Sequence, residues 1–153
     1  MPHPGAFGLL LTLHIVLAIL VVGPLTLTCA AVPSLLRAGA GSLPALRVAT
    51  RLVRGFAAAS LLITLTGVAM VHEGSFGSVR SLGDTWLAAS LVLWAVGCAA
   101  CLGVVAPGLS RAATDIGAGG DGRGRLVPIA GGALVSTGCW LVIVALMVVK
   151  PGG

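Results

Sequence analysis

Charge is what this chain has least of. Of its 153 residues only 8% are Asp, Glu, Lys or Arg, against 58% that are apolar, and its mean hydropathy is strongly positive. A soluble domain of this length stays dispersed by covering itself with charge, which this sequence cannot do. A bilayer solvates Leu, Val and Ala directly, so lipid is the expected solvent. Acids are scarce, and the four present, Glu73, Asp84, Asp115 and Asp121, all fall between apolar runs. No paired carboxylates, Ser-His-Asp set or HExxH motif is present, which argues against hydrolytic chemistry. With no Asp, Glu, Lys or Arg inside any run, ion-driven transport also lacks its usual relay groups. The nine basic residues lie between the runs as topology determinants do, so the bilayer, and not nucleic acid, is the expected partner.

Loop cysteines are lacking too. Cys29, Cys98, Cys101 and Cys139 all lie inside apolar runs, where a secreted disulfide framework would not place them. Cys98 and Cys101 form a Cys-x-x-Cys that is similar to the dithiol of four-helix membrane thiol oxidoreductases, which pass electrons to quinone. Mid-span surroundings do not solvate a thiolate, and no loop cysteine can shuttle electrons outward. The pair reads as small residues at a helix seam.

What the chain does have is four stretches free of charge, 6–32, 55–71, 85–109 and 126–149. At about 1.5 Å per residue, roughly 20 residues cross a hydrocarbon core of about 30 Å. The second stretch is short, and starting it near Leu52, with Arg51 and Arg54 snorkelling, restores a full span. The expected fold is therefore all-α: one domain over 1–153, with spans at about 6–32, 52–72, 85–109 and 126–149 forming an antiparallel four-helix bundle. The first run is too long for a signal-peptide core and has no Lys or Arg before it, so it reads as a retained helix.

Connections are expected at Pro33 and 39–44, at 73–84, and at the Gly-rich 117–124. The last of these lacks the Lys-Ser/Thr ending of a phosphate-binding loop and reads as a flexible link. Arg37, Arg47, Arg51 and Arg54 in the first loop, and Arg111, Arg123 and Arg125 in the third, outweigh Arg80 in the second and Lys150 in the tail. The positive-inside rule then places loops one and three in the cytoplasm and both termini outside it. Helix seams are expected at Ser60, Thr64 and Gly67, at Ser90, Gly97 and Cys101, and at Gly132, Ser136 and Cys139. Phe76 and Trp86 fit an outer interfacial belt.

Leaving the thiols aside, His14 is the one ionisable side chain well inside a span, and such groups are functional candidates. One reading is a neutral imidazole hydrogen-bonded to a neighbouring helix. Another is a haem ligand, for which His72 is the only histidine near enough to be the second axial ligand. Depth separates them: His14 lies roughly 12 Å inside the outer boundary and His72 sits at it. A third reading is copper, because His3, His14, Met70, His72 and Met147 all fall toward the outer side, with Met70 and His72 one residue apart.

The run Leu11-Thr-Leu-His14-Ile-Val-Leu-Ala-Ile-Leu-Val-Val-Gly23-Pro24 resembles the opening of a bacterial, chiefly actinobacterial, membrane family known as domain of unknown function 2269. Arg51-Leu-Val-Arg54-Gly-Phe, Gly83-Asp84-Thr-Trp86-Leu and Val104-Val-Ala-Pro107-Gly agree with it, so the likeness spans most of the chain. It implies an integral four-helix protein of the bacterial inner membrane without an assigned activity. More distantly, a first-helix His followed by a small-residue turn is similar to the copper-resistance D family and to HemJ-type haem-binding oxidases. The latter pair that His with a membrane Lys, whereas the only Lys here is Lys150. The expectation is a non-enzymatic or accessory membrane bundle that packs on itself or on partner subunits. The alternative is a haem- or copper-binding redox protein with His14 as ligand.

Overall fold

The structure, a computed structural model, describes residues 4–72 and 85–149. His3, Glu73, Phe76, Arg80, Asp84 and Lys150 lie outside the described residues, as does the whole second connection. Among the described residues the chain is helical apart from Ala38 and the turn at 118–122, and has no strand. The helices are α1 (Pro4–Arg37), α2 (Leu43–His72), α3 (Thr85–Ala100), α4 (Ala106–Gly117) and α5 (Leu126–Val149). Helices α3 and α4 are joined without a break through one wide π turn, Cys101–Val105, into a third span, Thr85–Gly117. Four helices are thus long and apolar enough to cross a membrane, and the chain is a multi-pass membrane protein.

The helices outrun the hydrophobic stretches expected from sequence. The first was expected to end at 32 but continues through Pro33 to Arg37. The second was expected to begin near Leu52 but begins at Leu43, and the third passes 109 to reach Gly117. A charge-free run measures hydrocarbon thickness, whereas backbone hydrogen bonding carries a helix on into the headgroup layer and water. Two assignments change as a result. Arg47, Arg51 and Arg54 stand on α2 and Arg111 on α4, so none of them is in a loop, and the first connection shrinks to a single 3-10 turn, Gly39–Ser42. Pro44 falls in the first turn of α2, where its missing N–H costs nothing. Pro107 is accommodated in the same way of reasoning: the Ala106 N–H reaches back to the Cys101 carbonyl, a π-type bond that widens the helix just before the proline ring.

Neighbouring contacts close a ring: α1 on α2, α2 on α4, α3 on α5 and α5 on α1. The buried face of α1 runs Val21, Leu25, Cys29, Val32, Leu36, and that of α2 runs Leu46, Ala49, Val53, Ala57, Ser60. Both recur every three or four residues, as one helix face must. Opposite them stand Val105, Leu109, Ala112 and Ile116, with Ile129, Ala133 and Ile143 of α5. Large apolar side chains such as Leu27, Leu134 and Val148 point outward, where lipid solvates them.

Small residues set the seams. Ser60, Ser90, Gly97, Cys101, Gly132, Ser136 and Cys139 are buried, while Thr64 and Gly67 are half-buried. A Cβ at Gly97 would meet Cys139 Cβ at 3.5 Å, and one at Gly132 would meet Val104 Cγ1 at 3.0 Å. The tightest approach is at Gly108, which the sequence reading passed over: a Cβ there would lie 2.5 Å from Ile129 Cγ1. Two residues past the end of α4 stands Gly119, whose φ of +90° is open to glycine at no steric cost. This lets Gly119 N–H and Gly120 N–H donate back to the Ile116 and Asp115 carbonyls, a Schellman closure.

Candidate functional site

His14 faces α2. Its Nδ1 lies 3.0 Å from Thr66 Oγ1, and its ring edge rests on Gly67, where a Cβ would stand 3.2 Å from His14 Cε1. Thr66 Oγ1 is also 2.9 Å and 3.0 Å from the Ile63 and Leu62 carbonyls. A hydroxyl has one proton, and those carbonyls take it. Proton accounting therefore makes His14 Nδ1–H the donor to Thr66 and leaves Nε2 as the lone-pair nitrogen.

Beside His14 is a cavity of about 60 Å³ that all four spans line. Its walls include Gly67 and Thr64 of α2, Ser90 and Trp94 of α3, and Trp140 and Met147 of α5. Ligand sites for organic molecules run to roughly 300–1,000 Å³, so a haem does not fit this space. His14 meets α2 at Thr66, six residues before His72, which is about 9 Å along the helix axis; the His72 side chain lies outside what the structure describes. The structure does bring His14 and Met147 to one cavity, which has room for a single metal ion. Met70 is buried but does not line it. Among the described residues no three of His, Cys, Asp and Glu gather as a metal cluster.

Deeper in the bundle two tryptophans are each answered by a serine. Trp94 Nε1–H donates to Ser60 Oγ at 3.0 Å, and Ser60 passes its own proton to the Ala57 carbonyl at 2.7 Å. Trp140 Nε1–H donates to Ser136 Oγ, also at 3.0 Å. The Cys-x-x-Cys is divided between these two stations. Cys98 Sγ lies 3.4 Å from Ser60 Oγ and Cys101 Sγ 3.0 Å from Ser136 Oγ, and all four cysteines are free thiols. A polar group in hydrocarbon must find its partner inside the protein, and these serines supply it. Trp86 departs from the interfacial belt: its ring is buried against Leu87 and Met147, and its Nε1 has no partner among the described residues.

Thr66 and Gly108 are the residues that reading the sequence alone underrates. A threonine or a glycine in an apolar run looks like any other until the neighbouring helix is known. Compared with family models, with curated proteins and with solved structures, the chain matches none, so the functional reading rests on its own residues.

Proposed function

We propose that this chain is a non-enzymatic accessory bundle of the bacterial inner membrane. Its spans run antiparallel, with loops one and three in the cytoplasm and both termini outside. The observation that carries this reading is that the histidine, two of the tryptophans and two of the cysteines within the spans are each paired with a hydroxyl, while Trp86 Nε1 is left without a partner among the described residues. His14 is spent on Thr66, Trp94 and Cys98 on Ser60, and Trp140 and Cys101 on Ser136. Such pairs fix helix register and leave no converging acid, base or nucleophile for chemistry. The likeness to domain of unknown function 2269, which has no assigned activity, belongs to the same proposal.

The small-residue faces are used inside the bundle, so a partner subunit or second copy takes another surface. That surface is the first half of α1, where residues 8–20 include none that is buried and Leu9, Ile19 and Leu20 are 60–71% exposed. A photo-crosslinking residue at Ile19 is expected to give protein adducts in membranes, and one at Leu134 on α5 only lipid adducts. Lipid adducts alone from both positions would remove the partner role.

One observation favours a second reading, copper held between His14 and Met147 on their shared cavity. Purified protein, expressed with ample haem and copper, is expected to be metal-free with a flat reduced-minus-oxidised visible spectrum. One bound copper per chain that His14→Ala abolishes would establish the second reading in place of the first. A Soret band lost in the same variant would establish a haem protein.

A further inference from the structure

The arginine-bearing end of the bundle holds a hollow of about 260 Å³ between α2 and α4, lined by Arg47, Thr50, Arg51 and Arg54 on one side and Ser110, Ala113 and Thr114 on the other. Spacings of four and three put the three guanidiniums on one face of α2. None of the three has an ion-pair or hydrogen-bond partner among the described residues. The described carboxylates are engaged elsewhere: Asp115 Oδ2 accepts from Arg125 Nε at 2.6 Å, and Asp121 Oδ1 accepts from the Arg123 amide at 3.1 Å. Three positive charges thus converge on one hollow with nothing anionic among the described residues to meet them. As topology determinants they need only lie on the cytoplasmic side; topology does not require them to share a cavity.

We propose that this hollow is a binding site for a phosphate group, and that the phosphate is that of an anionic phospholipid headgroup. Guanidinium forks match phosphate oxygens two by two, which neither a lone ammonium nor a backbone amide does. Thr50 and Thr114 spend their protons on the Leu46 and Ser110 carbonyls, so Ser110 Oγ is the hydroxyl that turns to the ligand. Depth selects the lipid source. Arg54 directly precedes the apolar run 55–71, and Arg47 lies seven residues, about 10 Å, further out along the helix. The ladder therefore crosses the headgroup layer, where phosphates of the leaflet sit. Val48 and Leu52, exposed on α2 between these arginines, offer acyl chains an apolar flank. The other basic hollow, between Arg37, Arg123, Leu126 and Val127, has two guanidiniums and no hydroxyl.

The test is thermal unfolding of the full chain in neutral detergent, followed by its own tryptophans. It is titrated separately with dioleoylphosphatidylglycerol, dioleoylphosphatidylcholine and inorganic phosphate. Phosphatidylglycerol is expected to raise the midpoint at concentrations at least about tenfold below those phosphatidylcholine requires. Arg51→Gln and Arg47→Gln are each expected to weaken that effect about tenfold or more, the loss of one charge-assisted hydrogen-bond pair. Arg51→Lys keeps the charge, hence the topology, and is expected to lose most of the effect with the fork. Arg111→Gln, at the same end on α4 but outside the hollow, is expected to leave it unchanged. If inorganic phosphate protects saturably with the same variant pattern and phosphatidylglycerol does not, the site stands and its source is a soluble phosphate. No preference for either phosphate source overturns the proposal, and so does an equal loss in Arg111→Gln, which would mean diffuse charge and no site.

Discussion

At the arginine-bearing end of the bundle, Val32, Leu36, Leu46, Val53, Leu109 and Ile129 are sealed to 0–1% exposure. At the other end no residue of the first half of α1 between 8 and 20 is fully buried, and Leu10, Leu11, His14, Leu17 and Ala18 are half-buried. The same helix therefore does two jobs. From Val21 onward it is held by interdigitated apolar side chains on a regular face, and before that its apolar side chains are at most half-buried and its polar tie to the bundle is one imidazole on a threonine. Apolar faces alone do not draw helices together in hydrocarbon, since lipid tails are as apolar as Leu. Shape complementarity and hydrogen bonds decide which segments are fastened. The arginine end is fastened by shape and the histidine end by a polar contact.

The largest expected effect is at the shape-fastened end. Gly108→Ala puts a Cβ 2.5 Å from Ile129 Cγ1, and Ile129 is fully buried and β-branched, so it has nowhere to go. A loss of about 2–3 kcal/mol is expected in detergent unfolding, in the range of overpacked cores. Ile129→Ala in the same chain makes room and should restore part of it, a coupling that a double-mutant cycle reads directly. Gly67→Ala is the matching change at the other end. There the Cβ meets the rim of a half-buried imidazole that can swing away, so the loss should stay under about 1 kcal/mol. Equal losses at the two glycines would erase the distinction between the ends.

How far this contrast was legible in the sequence differs by level. Four spans, their all-helical fold and most seam residues follow from charge-free runs and from small residues at packing intervals, because hydrocarbon imposes both. The helix ends did not follow. Arg47 and Arg51 mark where lipid stops, yet α2 goes on for several residues beyond them, and only the backbone records that. His14 stood out as the ionisable group in a span, but its partner Thr66 did not. Many Ser and Thr residues lie in the apolar runs, and which one meets His14 is set by how two helices are paired and rotated. Gly108 was hidden for the same reason, as one of 23 glycines that only the packing against Ile129 singles out. The convergence of Arg47, Arg51 and Arg54 with Ser110 and Thr114 needs the third span to continue past Leu109, where the charge-free run ends.

The next effect tests whether His14 is the fastening of the loose end. Removing an interhelical hydrogen bond in a membrane protein costs about 0.6–1.7 kcal/mol, so His14→Ala and Thr66→Val should each fall in that range. If the two groups act as one contact, the double variant should lose little more than either single one. The consequence should also be local: amide exchange should quicken between residues 8 and 20 and stay unchanged from Val21 to Leu36. Quickening along the whole of α1 would mean that the two halves share one fastening.

The smallest effect is expected at the connection between α4 and α5, next to the arginine end but outside its packed core. Arg125 Nε donates to Asp115 Oδ2 at 2.6 Å, a short ion pair, yet both side chains are about 40% exposed. Water and salt screen such a pair, so Asp115→Asn should lower stability by no more than about 0.5 kcal/mol, and by less still in high salt. The backbone gives the reason the connection does not depend on it. Gly119 in the left-handed region already closes α4 through the Asp115 and Ile116 carbonyls, and Asp115→Asn leaves both carbonyls in place. Gly119→Ala removes that closure's conformational ease and should cost about 1–2 kcal/mol. Thermal unfolding of the two variants side by side at low and high salt decides it. If Asp115→Asn proves the more damaging, the turn is held by charge, and shape complementarity stops at Ile116.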